Sequence, residues 1–195
     1  MKAFILGIVI ALIGLAAGVY LYFYTGQAPV ATSSKPMPFE RTFARMGLHA
    51  YLDRKPHLEP QVPANEQTYL AGAQIYKEHC AVCHGLPGSD RTAIAAGMAP
   101  KPPQLFKGVG VTDDEAWETY WKAQGGIRMT GMPGFQGRLT DTQLWQVTLL
   151  LKDADKLPNS VKAALVAPPA VAADPVAPAP QPVSAKPASA KPAKH

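Results

Sequence analysis

The sequence predicts an all-α protein: one membrane-spanning helix followed by a small domain of three or more helices. Three observations carry this reading. No residue from Phe4 to Tyr24 is charged, helix-capping residues precede apolar residues at helical spacing at several later points, and no alternating strand pattern of useful length appears. The chain has 195 residues, room for one ordinary domain plus appendages.

At about 1.5 Å per residue, a helix over Phe4–Tyr24 spans the roughly 30 Å hydrocarbon core of a bilayer. A secretory signal has a shorter apolar core of about 7–15 residues ending in a small-x-small site. This segment is longer and ends in Tyr20, Tyr22, Phe23 and Tyr24, rings that suit the headgroup level. Residues 1–25 are therefore expected to be an uncleaved anchor. Gly14 and Gly18 form a small-xxx-small pair of a kind common by chance.

Residues 26–64 read as a linker rich in Pro, Ser and Thr. Within it Phe39, Phe43, Met46 and Ala50 recur at helical spacing, with Arg41, Arg45 and Arg54 elsewhere, and predict a short amphipathic helix over about 39–54. That helix could lie on a membrane, dock on the following domain or meet a partner. As a free coil of about 40 residues, the linker would have an r.m.s. span of roughly 35 Å.

The domain is expected over residues 65–158. Asn65 can cap a helix running through Tyr69, Ala73 and Tyr76 to the cysteines. Thr112 with Glu115 and Thr140 with Gln143 form capping-box patterns for helices bearing Trp117, Tyr120 and Trp121, and Leu144 to about Asp155. From residue 159 the chain turns to Ala, Pro, Val and Lys, which predicts a disordered tail over 159–195.

The net charge of +5 lies in the flanks: residues 66–160 carry nine basic and ten acidic side chains. A near-neutral domain lacks the clustered basic face that nucleic-acid binding needs, so that class of function is set aside.

Only two cysteines exist, in Cys80-Ala81-Val82-Cys83-His84. C-x-x-C-H is the signature of covalent haem attachment, with one thiol for each vinyl group and the histidine beneath the iron. A thioredoxin-like pair would need a βαβ surround, and structural zinc would need two further ligands, for which His57 and His79 are poorly placed. A plain disulfide would leave His84 unexplained. A small domain with so much loop also needs something large to fold around. Three methionines follow, Met98, Met129 and Met132, and thioether-plus-imidazole ligation characterises cytochromes c. Met132 is the candidate sixth ligand. Glycines bracket it and Pro133 stiffens the loop, which suits backbone laid against a flat group. Met129 reads as crevice packing or a bystander, and Met98 as core.

These residues resemble the class I cytochrome c family, especially the single-haem, membrane-anchored bacterial type. The resemblance covers about Asn65 to Pro158 and rests on Gly72, Tyr76, Cys80-Ala81-Val82-Cys83-His84-Gly85, Thr130-Gly131-Met132-Pro133, Leu139-Thr140-Asp141 and Leu144-Trp145. It implies one covalent haem c, bound by Cys80, Cys83, His84 and Met132, with iron ligated by His84 and Met132. It implies that Gly72 gives a close helix crossing, that Tyr76 packs toward Trp145 and Leu149, and that Pro102, Pro103 and Leu105 form the proximal loop. Arg128, Tyr120 and the indole of Trp117 or Trp121 are candidate donors to the haem propionates.

By the same resemblance the chain is an electron carrier and not an enzyme. It would be held in a bacterial inner membrane with its haem domain in the periplasm. Its partners would be redox proteins: a quinol-oxidising complex or dehydrogenase on one side and a terminal oxidase on the other. A peroxidase-type enzyme would want a second haem and an open iron. A gas or redox sensor would want a labile Met132 and an output domain.

Overall fold

A computed structural model describes residues 1–107 and 113–168. Among the described residues there are eight helices and no strands, only two isolated bridges. Helix α1, Lys2–Tyr24, is long and apolar enough to cross a membrane, and none of its residues is buried.

Helix α2, Glu40–Leu52, realises the linker helix. Helix α3, Glu66–His79, begins where Asn65 caps it: the Asn65 side chain accepts from the Thr68 N–H at 2.9 Å. Cys80 ends α3 and opens the single turn α4, Ala81–His84, followed after a loop by α5, Ala93–Gly97. Helix α6, Ala116–Gly125, starts at Glu115 without a side-chain cap. Thr112, its expected capping partner, lies outside the described residues. Lys122 instead ties the entry to α6 by pairing with Asp114 at 2.7 Å. Helix α7, Asp141–Lys152, has the full capping box: Thr140 Oγ1 accepts from the Gln143 N–H at 3.2 Å and the Gln143 side chain accepts from the Thr140 N–H at 2.9 Å.

The core is built where α3 crosses α7. A Cβ at Gly72 would lie 2.3 Å from the Gln146 carbonyl oxygen and 3.1 Å from Leu150 Cβ. The helices approach this closely only because residue 72 has no side chain. The α7 residues that meet Gly72 are Gln146, through its backbone, and Leu150, with Leu149 buried nearby on the same helix. Tyr76, Trp145, Leu144 and Leu150 are essentially fully buried in one cluster, with Tyr120 of α6 stacked on Trp145 at 4.4 Å.

One expectation about the flanks is corrected, and one left open is decided for part of the linker. The tail does not begin at 159: residues Asn159–Val166 form helix α8, whose Val161 and Leu165 are completely buried in the core cluster against α3. Lys77 of α3 donates to the Ala164 carbonyl at 3.0 Å, and Ser160 bonds Glu66. Two apolar residues four apart are enough to seat one short helix in a groove.

Nor is the linker a free coil throughout. Leu52 is buried, the Trp121 indole donates to the Pro56 carbonyl at 3.0 Å, Lys55 sits 4.4 Å over the Trp121 ring, and His57 stacks on Trp117 at 4.1 Å. The segment from Leu52 to His57 is thereby docked on α6.

Candidate haem site

The attachment motif sits at the exit of the buried helix α3. Tyr76, one turn before Cys80, donates its buried hydroxyl to the Gly85 carbonyl at 2.6 Å, which clamps the ends of the motif together. Gly85 holds φ +76°, a left-handed conformation that lets the chain leave α4 sharply. No disulfide joins Cys80 to Cys83. Burial, with Cys83 nearby, pushes the Cys80 thiol up to about 12, so it is a neutral thiol at physiological pH.

The loop after α4 is pinned to it. Ser89 Oγ accepts from the Leu86 N–H at 2.8 Å, Gln104 reaches back to the Ser89 carbonyl at 3.1 Å, and Arg91 donates to the Pro102 carbonyl. Thr92 donates to the Val82 carbonyl at 2.6 Å, which fixes α5 beside the motif. These bonds bring the Pro103 carbonyl to 2.8 Å from His84 Nδ1. A carbonyl oxygen only accepts, so Nδ1 carries the proton and Nε2 keeps its lone pair free. Burial holds the ring below the usual imidazole range, while the Pro103 bond pulls the other way. A neutral imidazole with Nε2 available, beside two thiols three residues apart, is the donor set that covalent haem requires.

The methionine loop approaches from α6. Ile127 N–H donates to the Met132 carbonyl at 3.2 Å, Thr130 Oγ1 accepts from the Met132 N–H at 3.2 Å, and the Phe135 N–H bonds the Ala123 carbonyl at 3.1 Å. Phe135 packs 5.9 Å from His79, the residue before Cys80, and so brings the loop to the motif's end of the domain. Met132 is partly buried there. Met129 is 90% exposed at φ +63°, the bystander of the two readings. Met98 is half-buried rather than core: a Cβ at Gly131 would lie 2.6 Å from its methyl, and Gly131 itself holds φ +79°. Met98 therefore lies against the residue preceding Met132, a contact between positions 33 apart with no local sequence signal.

The candidate propionate donors fare differently. Tyr120 donates to Asp141 at 3.0 Å and Trp121 to Pro56, so both are committed elsewhere. Trp117 stacks on His57, and Arg128 is exposed. The buried side-chain donors without a partner among the described residues are the Thr119 and Thr148 hydroxyls and the indole N–H of Trp145, a residue that sequence reasoning placed only in packing.

Residues 67–150 match the family model described as cytochrome c oxidase, cbb3-type, subunit III. Residues 67–150 are a c-type cytochrome domain. No curated protein and no solved structure matches the chain. The match spans α3 through most of α7, so it contains the motif, the proximal loop and the methionine loop, and excludes α1, α2 and α8. A c-type cytochrome domain implies covalent haem and electron transfer through it, and the apolar helix α1 fits a membrane anchor.

Proposed function

We propose that this chain is a membrane-anchored monohaem electron-transfer protein. Cys80 and Cys83 would carry the haem, and His84 and Met132 would supply ligands to its iron. The observation that carries the reading is the His84 tautomer: the Pro103 carbonyl fixes Nδ1–H and leaves Nε2 free beside both thiols. Haem held this way supplies a one-electron Fe(II)/Fe(III) couple, and a thioether ligand raises its potential.

The protein's part is to hold the side chains of His84 and Met132 in place. The Pro103 bond orients the imidazole, and the Thr130 and Ile127 bonds hold the backbone at Met132. Leu105, Phe106 and Phe135, packed against the core, supply apolar cover. With α1 as a single-pass anchor in a bacterial inner membrane, the haem domain lies on the periplasmic side, where this attachment chemistry takes place. The family match to an oxidase subunit supports a respiratory role. The chain passes electrons from a quinol-oxidising complex or dehydrogenase to a terminal oxidase, as a carrier or as a subunit.

Met132→Ala tests the ligand assignment. Haem stays attached in the variant, the weak thioether-to-iron band of the oxidised spectrum disappears, and the reduced protein binds carbon monoxide, which the parent does not. Met98→Ala leaves the spectrum intact. If Met132→Ala kept the parent spectrum and Met98→Ala lost it, the ligand would be Met98. Replacing Cys80 and Cys83 together by Ala abolishes covalent haem.

A further inference from the structure

Helix α2 carries an apolar stripe that the described protein leaves uncovered. Phe39, Phe43 and Met46 are 72, 62 and 59% exposed. Phe43 and Met46 recur at the spacing of a single helix face, which Ala50 continues, and Phe39 is the N-cap residue of α2, at φ +62°. The Phe39 and Phe43 rings pack edge to face 6.4 Å apart, so the stripe is preformed. Arg41 and Arg45 fall on the opposite side at 3.6 residues per turn, together with Leu48 and Leu52, the least exposed residues of α2.

The start of α2 indicates what covers the stripe. One cavity is lined by Tyr22, Gly26 and Gln27 at the end of α1 and also by Lys35, Met37 and Pro38 at the entry to α2. The chain between doubles back: the Gln27 N–H bonds the Tyr22 carbonyl at 3.2 Å, and Glu40 accepts from the Met37 N–H at 2.9 Å. Phe39 therefore follows directly on residues that adjoin Tyr22, one of the rings that end the membrane-spanning helix. The far end of α2 is fixed to the haem domain through Leu52, Lys55 and His57.

We propose that α2 is an interfacial helix that lays Phe39, Phe43 and Met46 into the boundary between headgroups and acyl chains. Arg41 and Arg45 stay on the watery side. An aromatic and aliphatic stripe opposite basic residues is the composition such helices use. The helix then sets the height and orientation of the haem domain over the bilayer, because one end is at the membrane exit of α1 and the other is docked on α6. This rests on reading α1 as a membrane anchor.

The test uses the full haem-loaded chain in phosphatidylethanolamine–phosphatidylglycerol vesicles containing a phospholipid with a photoreactive diazirine high in one acyl chain. After illumination, trypsin releases Thr42–Arg45 and Met46–Arg54 as separate peptides, which mass spectrometry scores for lipid adducts. Adducts are expected on both and on α1, and not on Ala123–Arg128 of the haem domain. Phe43→Glu combined with Met46→Glu removes the α2 adducts and leaves those of α1. Adducts on α1 alone overturn the proposal while leaving the anchor intact, and mean that protein or water covers the stripe. Absence of adducts from α1 as well overturns the anchor reading and this proposal with it.

Discussion

The two segments that flank the c-type cytochrome domain are both attached to it, by different physics. On the C-terminal side, α8 inserts Val161 and Leu165 into the core until neither is exposed. On the N-terminal side one side chain, Leu52, is buried outside the core cluster, Leu58 and Val62 are only partly buried against it, and Lys55, Pro56 and His57 lie on the outside of α6, held by a cation over a ring, one indole hydrogen bond and one ring stack. The first attachment removes apolar area from water, at about 25 cal/mol per Å2. The second uses contacts worth roughly 0.5–1.5 kcal/mol each at partly exposed sites. The C-terminal helix is thus part of the folding unit, whereas the linker is a clasp that can be released without unfolding the domain.

The largest expected effect tests the first half of that contrast. Leu165→Ala removes a fully buried side chain between α3 and α8 and should lower stability by about 2–5 kcal/mol, with Val161→Ala costing less. Guanidinium unfolding followed by helical circular dichroism measures it. A chain ending at Pro158 should lose at least as much. If that chain unfolded at the midpoint of the full-length protein, α8 would be an appendage and the contrast would collapse.

The same contrast explains what the sequence revealed and what it concealed. Asn65 and the Thr140–Gln143 box announce their helices because capping is local, and the attachment motif is legible because its chemistry needs five consecutive residues. Helix α8 has no cap bond and only two fully buried side chains, set in a composition of Ala, Pro, Val and Lys that otherwise marks an unfolded tail. The linker clasp joins residues 60 or more positions apart, Trp121 with Pro56 and Trp117 with His57, and no local pattern encodes such pairs. That is also why Tyr120 and Trp121 looked available as propionate donors: their real partners, Asp141 and Pro56, are supplied by tertiary structure. The long apolar helix α1 and the apolar stripe of α2 were legible, since helical periodicity shows a face before it shows what the face meets.

An intermediate effect tests the clasp. Trp117→Ala removes the stack on His57 and should cost about 1 kcal/mol or less of global stability, within the range of a partly exposed ring pair. Its larger consequence is local: trypsin should cut after Arg54 faster than in the parent, with the unfolding midpoint nearly unchanged. Equal shifts in both would mean that the linker is integral to the core, as α8 is.

The smallest effect bears on how the C-terminal flank is led into place. Tyr69 of α3 donates to Asp153 at 2.8 Å, at the end of α7 where the chain turns toward buried Leu157 and α8. Burial, then the Asp153 bond, raises the Tyr69 hydroxyl from 10.0 to about 12. Folding therefore favours the protonated phenol. Its contribution is fully present below pH 10 and is lost as pH climbs from about 10 toward 12, the window between the unfolded and folded values. Because the pair is partly solvated, that contribution is on the order of 0.5–1 kcal/mol. Tyr69→Phe should lower stability by this amount at pH 8 and flatten the decline between pH 10 and 12, as measured by urea midpoints across that range. A decline of the same slope in the variant would show that the alkaline loss comes from other groups, and that the turn into α8 is held by Leu157 and the core rather than by this bond.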